Sequence, residues 1–293
     1  MNSNGTARRV VVGYVSSGDG DPALDWAQAE AKRREIPLVM LVASGVEYFT
    51  APEMSAVPPW RDEVTAKLVH EAKSYAAKAT GVAISVESRP RSPAASLVDA
   101  SANAELVVVG RHEQSAIGEA FWGSTSAQVA AHASCPVVVV DRPVCGDSTA
   151  PIVVAVDGSD QGRAALEFAF QWSSDVAAPL VAVHAWWLDI PNHLSDSWLP
   201  DPMVEGVENG AQTVLDDSLA PWIEKFPDVV VRKILTRQYP VEAVLDAAGN
   251  AQVIVVGSRG RGGFVGLLLG SVSQGLLHDT GRACPLVVVH AAD

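Results

Sequence analysis

Short, nearly unbroken runs of Val, Ile and Leu alternate along this chain with longer stretches whose apolar residues recur every three or four positions. In the C-terminal half, the runs at 152–156, 180–185, 229–235, 253–256 and 286–289 read as strands, and the stretches 161–177, 204–225, 240–250 and 272–280 read as helices. Strands apolar at every position are buried on both faces, and parallel neighbours need a crossover between them. The pattern predicts a doubly wound α/β domain: a roughly five-stranded parallel sheet with helices on both faces.

The N-terminal half repeats this pattern with local identity. Ala23-Leu24-Asp25-Trp26-Ala27 matches Ala165-Leu166-Glu167-Phe168-Ala169, and Pro37-Leu38-Val39 matches Pro179-Leu180-Val181, both at an offset of about 142 residues. Farther on, Val108-Val109-Gly110 aligns with Val255-Val256-Gly257, Gly123-Ser124 with Gly270-Ser271, and Cys135-Pro136 with Cys284-Pro285. So many landmarks in one order indicate a duplication. The polar stretch 143–150 lacks apolar periodicity and is the expected linker, which gives domains at 1–142 and 151–293.

Composition narrows the function classes. A chain of 293 residues with 48% hydrophobic and 19% charged residues suits two globular domains. Its formal net charge of −13 repels nucleic acid and anionic membrane, so no nucleic-acid or membrane partner is expected, and an anionic ligand needs a local site. The apolar runs fall far short of the roughly 20 residues of a spanning helix. Cys135 and Cys284 read as small buried residues, while Cys145 lies in a polar stretch. Three cysteines without metal-ligand spacing fit a reducing cytoplasm.

In an open parallel sheet, ligands bind beyond the carboxyl ends of the strands where the winding reverses. There, after Val253-Ile254-Val255-Val256, the second half carries Gly257-Ser258-Arg259-Gly260-Arg261-Gly262-Gly263, and later Gly270-Ser271-Val272-Ser273 opens a helix. Glycine allows positive φ and close approach of amides to an anion. The free N–H groups of Ser271, Val272 and Ser273, with the hydroxyls of Ser271 and Ser273, would face a phosphate, and Arg259 and Arg261 add positive charge. The plainer reading is a helix capped by Ser271 and a surface loop. No Gly-Lys pair exists for a Walker loop. Val265 stands where a dinucleotide fingerprint needs glycine, and Ser271 is one place off the Gly-x-Ser-x-Gly elbow.

Gly257, Gly260, Gly270 and Ser271, spaced by two and nine residues, resemble the ATP-binding signature of the universal stress protein family. Ile152-Val153-Val154-Ala155-Val156-Asp157-Gly158-Ser159 is similar to the family's first strand and its Asp, and the repeat fits the tandem two-domain form. The resemblance implies that Asp157 bonds the ribose or adenine and that Ala155, Val156 and Ala185 lie at the base pocket. It further implies that the turn from Val256 and Gly257 to Gly260, with Gly270-Ser271-Val272, holds the phosphates of ATP, any Mg²⁺ entering through those phosphates. It also implies a cytoplasmic stress-response role without turnover, and a homodimer associating through the final strands, 137–140 and 286–289.

The first half departs from the signature. Val15 stands at the place of Asp157, and Gly110-Arg111-His112-Glu113 at that of Gly257-Ser258-Arg259-Gly260. A valine cannot bond a ribose hydroxyl. A Glu113 carboxylate about 4 Å from a phosphate would cost ~4 kcal/mol at an effective dielectric near 20, roughly a thousandfold in affinity. The second domain is therefore expected to hold the nucleotide. Two alternatives stay open: a slow ATP hydrolase or phosphoryl-transfer enzyme using Asp157 or His184, and a ligand-free protein-interaction scaffold. The Trp/Pro-rich stretches 48–60 and 186–198 read as lids, as partner-binding surfaces, or as loops over small local cores.

Overall fold

A computed structural model describes residues 8–15, 21–44, 60–110, 124–143, 149–187, 201–261, 268–279 and 281–291, the side chains of 60, 61 and 124 excepted. The chain divides into two compact units, Met1–Val144 and Cys145–Asp293.

In the first unit β1 (Val10–Tyr14), α1 (Pro22–Arg33), β2 (Leu38–Ala43), α2 (Trp60–Lys78), β3 (Ile84–Arg89), α3 (Pro93–Ser101), β4 (Leu106–Gly110), α4 (Ser124–His132) and β5 (Val137–Val140) follow in order. The strands lie as β3-β2-β1-β4-β5, all parallel. The second unit repeats this with β6 (Ile152–Ala155), α5 (Asp160–Val176), β7 (Leu180–Ala185), α6 (Asp201–Lys225), β8 (Val231–Thr236), α7 (Pro240–Ala248), β9 (Val253–Gly257), α8 (Ser271–His278) and β10 (Leu286–Val289). Its order, β8-β7-β6-β9-β10, is likewise parallel throughout. The α/β fold expected from the apolar pattern is present twice.

Local chemistry explains the elements. Central strands are apolar and buried along their length, whereas β3 and β8 are nowhere fully buried and carry the half-buried Glu87 or the exposed Arg232 and Lys233, charges that discourage a further strand. Three helices begin at a proline in the first turn, which loses no intrahelical bond there: Pro22, Pro93 and Pro240. Asp21 caps α1, Ser92 caps α3 and Ser159 caps α5, each with its side-chain oxygen.

Within the second unit α5 packs on β6 and β9, and α6 packs on α5, β7 and β8; α7 covers β6 and β7, and α8 covers β9 and β10. The α5–α6 seam is aromatic: the fully buried Phe170 stacks on Trp222 and Phe226 at 6.3 and 5.9 Å between centroids. The matching helices of the first unit share a polar contact, the Tyr75 hydroxyl donating to Oε1 of Gln28 at 2.5 Å. Because β6 lies between β7 and β9, the winding reverses there, and the crevice beyond the carboxyl ends of β6 and β9 is the place for a ligand.

Candidate functional site

The chain leaves β6 through Val156, Asp157 and Gly158. The Val156 N–H donates to the Val183 carbonyl at 2.8 Å, and its carbonyl accepts Nδ1–H of His184 at 2.6 Å. Gly158 turns the chain at φ +72°, a conformation that favours glycine. A Cβ on Gly158 would also lie 2.5 Å from Val214 of α6 and 2.7 Å from Nη2 of Arg261.

Asp157 occupies the middle of this turn. Its Oδ1 accepts the N–H and the hydroxyl of Ser159 at 3.0 and 2.8 Å, and its Oδ2 accepts the N–H of Arg261 at 2.9 Å. Beyond β9, the Ser258 N–H donates to the Val289 carbonyl at 2.7 Å, and the Ser258 carbonyl accepts the Gly270 N–H at 2.8 Å. These bonds bring the Gly257 turn to the start of α8, so a Cβ on Gly270 would sit 3.6 Å from the Gly260 nitrogen.

The loop's described glycines serve by close approach. Gly257, Gly260 and Gly270 all lie outside the positive-φ region, contrary to the expected turn through it. A Cβ on Gly257 would be 2.9 Å from the Arg259 carbonyl oxygen, and one on Gly260 would collide with Oδ2 of Asp157. Gly262 and Gly263 lie outside the described residues.

At α8 the N-cap is Gly270, which has no side chain to accept from the first turn. Ser271 therefore does not cap the helix, and the amides of Ser271, Val272 and Ser273 have no carbonyl one turn earlier to bind. Ser271 is exposed and Val272 half-buried. Ser273 departs from expectation: only 2% exposed, its hydroxyl donates to the carbonyls of Ser258 and Gly270, both at 3.1 Å, and so holds loop and helix together. Arg259 is exposed, but the Arg261 guanidinium packs at Gly158, toward the expected base side rather than the phosphate cradle. Val256 and Val156 are buried and shape the floor, while Ala155 and Ala185 are half-buried at their strand ends.

His184, 7% exposed, has its pKa pushed below the ordinary value, first by burial and then by the Arg261 charge, against the opposing pull of the Val156 carbonyl and Asp157. It is neutral at pH 7, with the Nδ1 proton committed to Val156. Burial likewise pushes the thiols of Cys135 and Cys284 up to about 12 and about 11, as suits core residues. Cys145 is outside the described residues. Among those described, no group of three or more His, Cys, Asp or Glu could hold a metal, and no helix is long and apolar enough to cross a membrane.

A groove of about 210 Å³ opens beside Asp157 between α5 and α6, lined in part by Ser159, Arg163, Asp217 and Trp222. Pockets for drug-sized ligands run to about 300–1,000 Å³, so this groove has room for part of a nucleotide only. None of the Gly257–Arg261 turn lines it.

Two contributors escaped the sequence reading. Gly162, in the first turn of α5, has no Cβ where Asp157 needs room: one would lie 2.6 Å from Oδ1. Val214 closes over Gly158. Glycine near a helix start is a weak former, and that was the available signal for the first; nothing in the pattern marks the second. In the first unit Val15 is 52% exposed where Asp157 would be, whereas Arg111, His112, Glu113 and Gly123 lie outside the described residues. In the Trp/Pro-rich stretch of the second unit, Trp186 lies beneath the Arg237 guanidinium at 5.6 Å and Trp187 stacks on Tyr239 at 4.5 Å. Residues 188–200 and 45–59 are not described.

The model of the universal stress protein family matches twice, over residues 6–141 and 149–290. A universal stress protein of Mycolicibacterium smegmatis is 34% identical over 298 residues, covering 99% of each chain. One from Mycobacterium tuberculosis is 32% identical over 290 residues, 94% of each. Among solved structures, a universal stress protein from Archaeoglobus fulgidus superposes with a TM-score of 0.68 at 18% identity, covering 98% of this chain and 97% of that one, which shows the shared fold. With two copies of the family's domain accounting for nearly its whole length, the chain belongs to the universal stress protein family.

Proposed function

We propose that this chain is an ATP-binding regulatory protein of the stress response and that its second domain holds the nucleotide. The observation that carries the reading is the meeting of the Gly257–Arg261 turn with the uncapped start of α8, at the point where the sheet reverses its winding. Orphan amides and a positive helix end favour an anion there. On this reading the amides of Ser271 and Val272 with the Gly257–Gly260 turn take the phosphates, and the base side lies toward Asp157, Val156 and Ala185. Mg²⁺ would arrive bound to the phosphates.

Occupancy itself would be the signal. At millimolar ATP and a low-micromolar Kd, the occupied domain gains about 3–4 kcal/mol, enough to bias a partner surface. The arrangement favours binding over turnover, because His184, the base a hydrolase would use, is buried beneath the β6 turn. A cytoplasmic homodimer completes the reading.

The test is calorimetric titration of nucleotide-stripped full-length protein with ATP, alongside Ser271→Pro. Proline suits the first position of a helix, and Gly270 already has the extended backbone (ψ 161°) that precedes proline, so this variant removes one amide donor at little cost in folding. One site per chain, weakened at least tenfold in Ser271→Pro, is expected. Two equal sites would overturn the assignment to the second domain, and absence of heat and of thermal stabilisation would leave the scaffold reading.

A further inference from the structure

Asp157 does something in this structure that needs no ligand. Its carboxylate lies between two glycines from distant parts of the second unit, Gly162 in α5 and Gly260 in the loop after β9, and a Cβ on either would run into it. Oδ1 is held by the N–H and hydroxyl of Ser159, and Oδ2 accepts the N–H of Arg261 from 104 residues away. The bond to Arg261 is a side-chain link between the β6 turn and the Gly257–Arg261 turn. Bonds from amide donors to an ionised acceptor are the stronger kind, and one that closes a long loop restrains it most.

We propose that Asp157 is a positioning residue that sets the shape of the anion-binding turn, and therefore acts on the phosphate end of the site as well as on the base side. This rests on the nucleotide reading above for its ligand, but the latch itself is a property of the empty protein. A residue acting only through contact with the nucleoside affects ligands that have a nucleoside. A residue that shapes the turn affects any polyphosphate, and affects the turn when no ligand is present.

The experiment uses the full chain as wild type, Asp157→Asn and Gly260→Ala, with inorganic tripolyphosphate and ATP as probes and amide hydrogen exchange of the unliganded proteins as the second readout. In Asp157→Asn the amide can accept through one oxygen only, so either Ser159 or Arg261 loses its partner. Gly260→Ala keeps the carboxylate but forces the turn away from it.

Both variants are expected to speed exchange in the 257–261 segment at least tenfold and to weaken tripolyphosphate and ATP each by about tenfold or more, ATP the more in Asp157→Asn. Unchanged exchange in both variants overturns the proposal, whatever the proteins bind. So does an Asp157→Asn that loses ATP affinity while keeping that for tripolyphosphate, since contact with the nucleoside then accounts for its effect. A wild type that binds neither probe removes the nucleotide reading, and the exchange rates alone then decide the latch. Exchange in β7 and α7 of the same unit serves as the control for its unfolding: acceleration there as well as at 257–261 assigns the change to lost stability and overturns the specific role.

Discussion

The two units have the same strand order and the same sequence of elements, yet they differ at the turn after the first strand, in the seam between their first two helices, and in the second strand. After β1 stands the exposed Val15; after β6 stands Asp157, with three hydrogen bonds into its surroundings. Gln28 and Tyr75 join α1 to α2 through a polar contact, where Phe170, Trp222 and Phe226 join α5 to α6 through stacked rings. Val42 occupies the place of the buried His184. The core tolerates all of this because each sheet is held by its apolar strands. On the proposed function, binding rests on a handful of turn residues, so a duplicated fold can keep one copy equipped and relieve the other.

That contrast can be broken most forcefully in the helix seam. Phe170→Ala removes a fully buried ring and should destabilise the second unit by about 3–5 kcal/mol, whereas Gln28→Ala in the first should cost no more than about 1.5 kcal/mol. Hydrogen exchange of peptides from α5 and α1 reads the two separately, and equal losses would show that the seams matter alike. ATP at a thousand times its Kd should protect the second unit by about 4 kcal/mol and leave β1 and α1 unprotected. Matched prolines at the starts of α8 and α4 sharpen the point: Ser271→Pro should cost about 1.5–3 kcal/mol of ATP affinity, the worth of a hydrogen bond to a charged group, and Ser124→Pro none.

Smaller effects follow from pH and from the cap. His184 has its folded pKa depressed below the ordinary 6.5. Above pH 6.5 both folded and unfolded forms are neutral there. As pH falls through that value, the unfolded chain takes up a proton that the folded chain refuses, and stability declines by up to about 1.4 kcal/mol per pH unit until the folded pKa is reached. Urea midpoints of the second unit between pH 7.5 and 5.5 should carry this slope, and His184→Gln should flatten it; Val42 contributes no such slope to the first unit. Ser159→Ala loses the cap of α5 and one donor to Asp157, which should cost about 1 kcal/mol by the same urea measurement.

Much of the fold was legible because buried parallel strands announce themselves as runs of Val and Ile between helical stretches. Boundaries moved by a few residues only: β8 starts at Val231 instead of 229, and α7 stops at Ala248, before Gly249 turns to φ +22°. The two elements of the candidate site were legible too, since a glycine-rich turn after a late strand and a Gly-Ser at a helix start need no partner to be noticed. Their reasons were not. Glycine spacing cannot say that residue 260 is small to spare a carboxylate 103 positions earlier. Nor can it say that Ser273 turns inward while Arg261 lies over Gly158, because these are matters of which atoms meet in three dimensions.

The carboxylate held between Gly162 and Gly260 also sets a rule for how such a domain can change over generations. While Asp157 is present, any side chain at 260 is opposed by it, so substitution at 260 carries a cost that falls away once the carboxylate has gone. The first half shows both changes together, Val15 with Glu113. A side chain can stand at the place of glycine where the acid is missing, and an aspartate put back at position 15 would call for glycine at position 113 first.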